Sequence, residues 1–149
     1  MNFKDFKERG LIEENPPNFK QISNLQARAF KDLITAETIL ETDPEWAYTI
    51  AYQATMRAAK ALILSEGYRP KGREQQRTIV QLTAVILGKG LKTLAVKFDR
   101  IGRKGQWFIE DPDKPISKYE VEEAMKDAKE FVEKVIDIAR ERNPQLSLL

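Results

Sequence analysis

Apolar residues recur along most of this chain at spacings of three and four rather than two, so it reads as a series of amphipathic helices. In "NLQARAFKDLITAETIL" the stripe is Leu25, Ala29, Leu33, Ala36 and Leu40. "TDPEWAY" then carries the signals of a helix start: Thr42 or Asp43 to cap free amides, Pro44 in the first turn, and Glu45 three residues after Thr42. The helix it opens runs to about Glu66, and its inner face of Ala47, Ala51, Ala54, Ala58 and Ala61 is small enough for close packing against a neighbour. Gly67 suits a left-handed stop.

"YRPKGREQ" reads as a polar connection, after which Ile79, Val80, Leu82, Val85 and Ile86 predict a shorter helix ending near Gly88. "GKG" predicts a turn, since it lacks the long spacing and the Lys-Ser/Thr ending of a phosphate loop. Another helix runs from about Leu91 through Leu94, Val96 and Phe98 into "RIGRKGQWFIED", residues 100–111. There Gly102 and Gly105 weaken its continuation, each by about 1 kcal/mol relative to alanine. "DPDKP" breaks the chain, and "SKYE" opens a last helix with a capping box from Ser117 to Glu120 and an apolar stripe of Val121, Ala124, Ala128, Phe131, Val135 and Ile138. Upstream, "FKDFKERGLIEENPPNF" predicts a short helix stopped at Gly10 and an irregular lead-in, with Phe3, Phe6, Leu11 and Phe19 pinning this arm to the rest. The expected fold is all-α: an antiparallel up-and-down four-helix bundle with an N-terminal arm over residues 1–20 and an additional short helix, forming a single domain over 1–149.

Composition removes several chemistries. Cysteine and histidine are both absent, which excludes disulfides, thiol nucleophiles, thiolate or imidazole metal ligands, and imidazole as a proton carrier. Carboxylates form no metal-ligand pattern, so neither a metal nor another cofactor is expected. No run approaches the eighteen apolar residues of a membrane span, and "MNFKDFKERG" lacks the apolar core of a signal peptide, so a cytoplasmic protein with no membrane partner is expected.

The net charge is only +2, but residues 69–104 hold ten Lys and Arg against Glu74 and Asp99, a local excess of +8. Such a segment in an otherwise acidic chain suits a polyanion. The candidate binding residues are Arg69, Arg73, Arg77, Arg100, Arg103, Lys104, Gln106 and Trp107: cations to neutralise phosphates, an amide to hydrogen-bond, and a ring on which a base can stack. The competing reading is a set of solvated helix faces, with Trp107 in the core. A second aromatic set, Trp46, Tyr48, Tyr52 and Met56 with Gln53, reads as core or interface before it reads as a pocket.

Residues 51–62, "AYQATMRAAKAL", and 67–78, "GYRPKGREQQRT", resemble the core of the HEPN domains, small helical-bundle proteins of prokaryotes. "ERGLIEENPP" and "SKYEVEEAMKDAKEFVEKV" extend the resemblance over nearly the whole chain. The resemblance implies an up-and-down bundle, a homodimer, and a role in RNA-directed toxin–antitoxin, defence or stress systems, often beside a small nucleotidyltransferase. It also implies metal-independent ribonuclease activity in many members, through an Arg, a polar residue and a His or Tyr. Where the family shows "R-x-x-R-N-x-x-x-Y", this chain has Gly102 and Gly105 at the arginines, Gln106 at the Asn and Glu110 at the Tyr, and Gln76 stands where a His usually precedes "RT". The expectation is therefore a catalytically degenerate module that binds RNA or a nucleotide. Two alternatives remain: a ribonuclease acting by charge stabilisation through Arg100 and Arg103, and a structural dimer without nucleic-acid binding.

Overall fold

The computed structural model describes residues 1–110 and 116–148, with the side chains of 106–110 outside that description. Among the described residues the helices are α1 (Phe3–Glu8), α2 (Phe19–Ile39), α3 (Pro44–Ser65), α4 (Gln75–Leu87), α5 (Lys92–Glu110) and α6 (Lys118–Arg142). Two strands, β1 (Ile12–Glu14) and β2 (Tyr68–Pro70), complete the order, with 3-10 turns at Lys89–Leu91 and Pro144–Leu148. The chain is mostly helical, as the periodicity predicts.

The helix ends follow local chemistry. Asp43 accepts the Trp46 amide at 3.1 Å and Pro44 opens α3, so Asp43 rather than Thr42 is the cap. Ser117 accepts the Glu120 amide at 3.1 Å, and its hydroxyl donates to the Glu120 carboxylate at 3.2 Å. Gly67, with φ of +89°, supplies the left-handed turn that stops α3 and starts β2.

The two strands are the feature that periodicity does not predict. The lead-in read as irregular contains β1, and the connection read as polar contains β2. They pair antiparallel, with Ile12 opposite Pro70, Glu13 opposite Arg69 and Glu14 opposite Tyr68. Three residues per strand are too few to show an alternation, and the pairing depends on a contact more than fifty residues apart in sequence. Phe3 stacks on Tyr68 with ring centroids 4.9 Å apart, and Phe6 and Ile12 are buried, so the arm is fastened by the aromatic residues expected to do it.

Helix α3 is the centre of the packing and touches α2, α4, α5 and α6. Its alanine face is fully buried, which brings the flanking helices close. Asp32 of α2, also buried, is paired with Arg57 of α3 and with Arg28 at 3.2 Å. Ion pairs of Lys118 with Glu41 at 2.7 Å and of Arg142 with Glu66 tie the two ends of α6 to the corresponding ends of α3, so these two helices run in the same direction. Phe98 of α5 stacks on Phe131 of α6 at 4.3 Å.

The glycines of α5 do not end the helix. A Cβ added at Gly105 would lie 3.2 Å from a ring carbon of Tyr48, and one added at Gly102 would lie 3.5 Å from Tyr52. Both tyrosines come from α3, and the buried Tyr48 hydroxyl donates to the Ile101 carbonyl at 2.7 Å. The helix-propensity cost is offset by a closer approach of α5 to two aromatic rings. Val96, expected in the apolar stripe, is 53% exposed and points away from the core. No single helix among the described residues is long and apolar enough to cross a membrane.

Replacing Tyr48 by Phe keeps the ring against Gly105 and removes the donor to Ile101. We expect a loss of about 1 kcal/mol in denaturant unfolding with an unchanged m-value. Burial above all, and then the neighbouring Tyr52, raises the Tyr48 pKa above its ordinary value near 10. The folded state thus holds the proton more tightly than the unfolded chain, and the contribution, complete below pH 10, is lost as the pH rises further. Alkaline titration of stability should be steeper in the wild type than in Tyr48→Phe.

Candidate nucleic-acid interface

Helix α5 presents three faces, because successive residues turn by about 100°. Leu94, Phe98, Ile101 and Gly105 face the core. Lys97, Arg100 and Lys104 form a second face, and α6 meets each with an acid: Lys97 lies 3.5 Å from both Asp127 and Glu130, Arg100 3.4 Å from Asp127, and Lys104 3.6 Å from Glu120. These cations hold α5 to α6. The third face, carrying Lys92, Val96, Asp99 and Arg103, is turned towards α4.

Between that face and α4 lies an open groove of about 1050 Å³. Helix α4 contributes Gln76, Arg77, Val80, Gln81 and Ala84 at one-turn spacing, because its opposite face of Ile79, Leu82 and Ile86 is sunk in the core. The turn before α4 adds Arg73 and Glu74, and Tyr52 of α3 closes the groove beside Gly102. Tyr52 is half-buried, and burial raises its pKa, so its phenol is a neutral hydrogen-bonding group at ordinary pH.

The walls combine two chemistries. Val80, Ala84, Ala95 and Val96 form an apolar strip, while Arg73, Arg77, Lys92 and Arg103 supply positive charge against Glu74 and Asp99. Arg103 pairs with Asp99 at 3.0 Å and Arg77 lies 3.8 Å from Glu74. Both pairs link residues within one helical segment and are largely exposed, with Arg103 80% and Arg77 71% open to solvent. Exposed pairs of this kind are worth little, so an incoming anion can compete for both guanidinium groups. Among the described residues, neither Arg73 nor Lys92 is ion-paired.

The eight sequence-derived candidates therefore divide. Arg73, Arg77 and Arg103 converge on the groove. Arg69 does not: it sits on β2 and pairs with Glu13 across the ribbon. Arg100 and Lys104 face α6 and pair with its acids, so the two weak catalytic candidates, Arg100 and Arg103, lie on neighbouring but different faces of α5. The side chains of Gln106 and Trp107 lie outside the described residues. Lys92 and Tyr52 belong to the groove and were not among the candidates. The signal for Lys92 was its seven- and eleven-residue separations from Asp99 and Arg103; for Tyr52 it was the match of Tyr48 and Tyr52, four apart, to Gly102 and Gly105, three apart. Within the second aromatic set, Tyr48 is core, whereas Trp46 and Gln53 are exposed and need no internal partner.

The chain falls in a known class of helical domain. The HEPN domain model matches residues 22–141, and the chain belongs to that family. Comparison with curated proteins and with solved structures gives no match.

Asp127 is only 22% exposed and bridges two cations of α5. Asp127→Ala should lower stability by about 1 kcal/mol, measured by thermal unfolding, and the loss should shrink when Lys97 and Arg100 are also replaced by alanine.

Proposed function

We propose that this protein is a HEPN module that binds RNA or a nucleotide in the groove between α4 and α5 and has lost ribonuclease chemistry. The observation that carries this reading is the convergence of Arg73, Arg77, Lys92 and Arg103, from three chain segments, on one concavity with an apolar strip. Phosphates would meet the guanidinium and ammonium groups, and a base would meet Val80, Ala84 and Val96. Family membership supports a nucleotide- or RNA-related role in general. A toxin–antitoxin, defence or stress setting, a cytoplasmic location, assembly as a homodimer and docking of a small nucleotidyltransferase belong to the same proposal and rest on the resemblance.

Degeneracy is favoured by the placement of the arginines. Arg100 is turned to Asp127 while Arg103 faces the groove about 60° away around α5, so in this arrangement only Arg103 stands against a phosphate seated there. Tyr52, whose pKa burial raises, is a poor proton acceptor near neutrality.

Titration of a labelled single-stranded RNA tests the proposal. Three or four phosphate contacts predict that affinity falls about thirtyfold between about 50 and 200 mM salt. Arg77→Ala and Arg103→Ala should each weaken binding and reduce the salt slope by about 0.7, whereas Arg100→Ala should leave both unchanged. Salt-independent binding, or loss with Arg100→Ala but not Arg103→Ala, would place the ligand elsewhere. Wild-type protein should leave the RNA intact without added metal; cleavage abolished by Arg103→Ala would replace the degenerate reading with the enzymatic one.

A further inference from the structure

We infer that Asp99 makes the groove selective for ribose, by accepting a hydrogen bond from the 2′-hydroxyl of a bound single strand. The inference rests on the groove being the binding site proposed above, and goes beyond it by naming the part of the ligand that one residue reads.

A carboxylate in a groove for anions is a liability unless it meets a donor on the ligand. Asp99 lines the groove on the same face of α5 as Lys92, Val96 and Arg103, at spacings of four, three and four residues. At a rise of about 1.5 Å per residue the two cations are about 16 Å apart, and Asp99 stands about 6 Å along the axis from Arg103. A strand laid along this row puts phosphates at the cations, a base against Val96, and the intervening sugar at Asp99. Arg103 Nη2 holds Asp99 Oδ2 at 3.0 Å, while Oδ1 has no partner among the described residues. The side chain is 40% exposed and turned to the ligand space.

An ionised carboxylate only accepts hydrogen bonds, and in a sugar–phosphate chain the 2′-hydroxyl is the donor that RNA has and DNA lacks. The bond would be charge-assisted. A phosphate that approaches Arg103 leaves the carboxylate in place, because a guanidinium can serve both. Without the hydroxyl, Asp99 contributes only repulsion. The groove thus favours RNA twice over, by attraction to the ribose and by an uncompensated negative charge facing deoxyribose.

The test compares oligouridylate with oligodeoxyuridylate of equal length by fluorescence anisotropy, so that the bases are the same and only the sugar differs. Wild-type protein should prefer the ribo-oligomer about tenfold. Asp99→Ala should bring the ratio to within about twofold of unity, with tighter binding of the deoxy-oligomer, and Asp99→Asn, which keeps an acceptor, should fall between. Asp99 is at the surface, so melting curves should show all three proteins folded. Equal wild-type affinities for both oligomers, or an Asp99→Ala variant that tightens both in proportion, would overturn the inference and leave the groove as the site. Binding of neither oligomer would overturn the groove assignment itself.

Discussion

The contact of Gly102 and Gly105 with Tyr52 and Tyr48 fixes everything that follows along α5. Without side chains at two positions one turn apart, α5 settles on the aromatic rings of α3, and the Tyr48 hydroxyl fastens the Ile101 carbonyl at 2.7 Å. That contact sets the rotation of the helix about its axis. A rotation of about 60° would carry Arg103 out of the groove, so the identity of the groove residues depends on two glycines and the rings they rest on.

Once the rotation is set, the positive charge of the middle segment separates into two populations. Lys97, Arg100 and Lys104 meet a row of acids on α6 and act as fasteners. Lys92 and Arg103 emerge on the other side and join Arg73 and Arg77. The sum of +8 over residues 69–104 contains both populations and therefore overstates what a ligand meets. Within the groove, four cations stand against two carboxylates, and the local excess is smaller but concentrated in one concavity beside apolar carbon.

Helices were legible where a stripe of apolar residues is long and capped: Val121 to Ile138 behind Ser117, and Ala47 to Ala61 behind Asp43. The β1–β2 ribbon was not, because three residues carry no period and Glu13 meets Arg69 across the whole of α2 and α3. The site was half legible. Charge singled out Arg73, Arg77 and Arg103, which line the groove, but could not separate them from Arg69, Arg100 and Lys104, whose acidic partners lie 16 to 56 positions away. Some of that separation was available from the helical wheel, since Arg100 and Arg103 point about 60° apart and Glu120, Asp127 and Glu130 form a matching row on the last helix. Reading it required knowing which face of α5 is core, and Gly105 gave no apolar signal although it is buried.

The buried Gly105 also changes what the altered family motif means. Laid on the family pattern, Gly102 and Gly105 occupy the arginine positions, so their presence looks like simple deletion of reactive groups. In the folded chain those two positions are contact surfaces for Tyr52 and Tyr48. An arginine at 105 would have to enter a space where even a methyl group lies 3.2 Å from a ring, and would bring a charge into the core. Glycine at 105 and the close seating of α5 on α3 are thus one structural fact, because a side chain there would press on the Tyr48 ring. The cations at its surface, Lys92 and Arg103, still open on the groove, so a positively charged concavity and a helix with glycine at those two positions are compatible in the same protein.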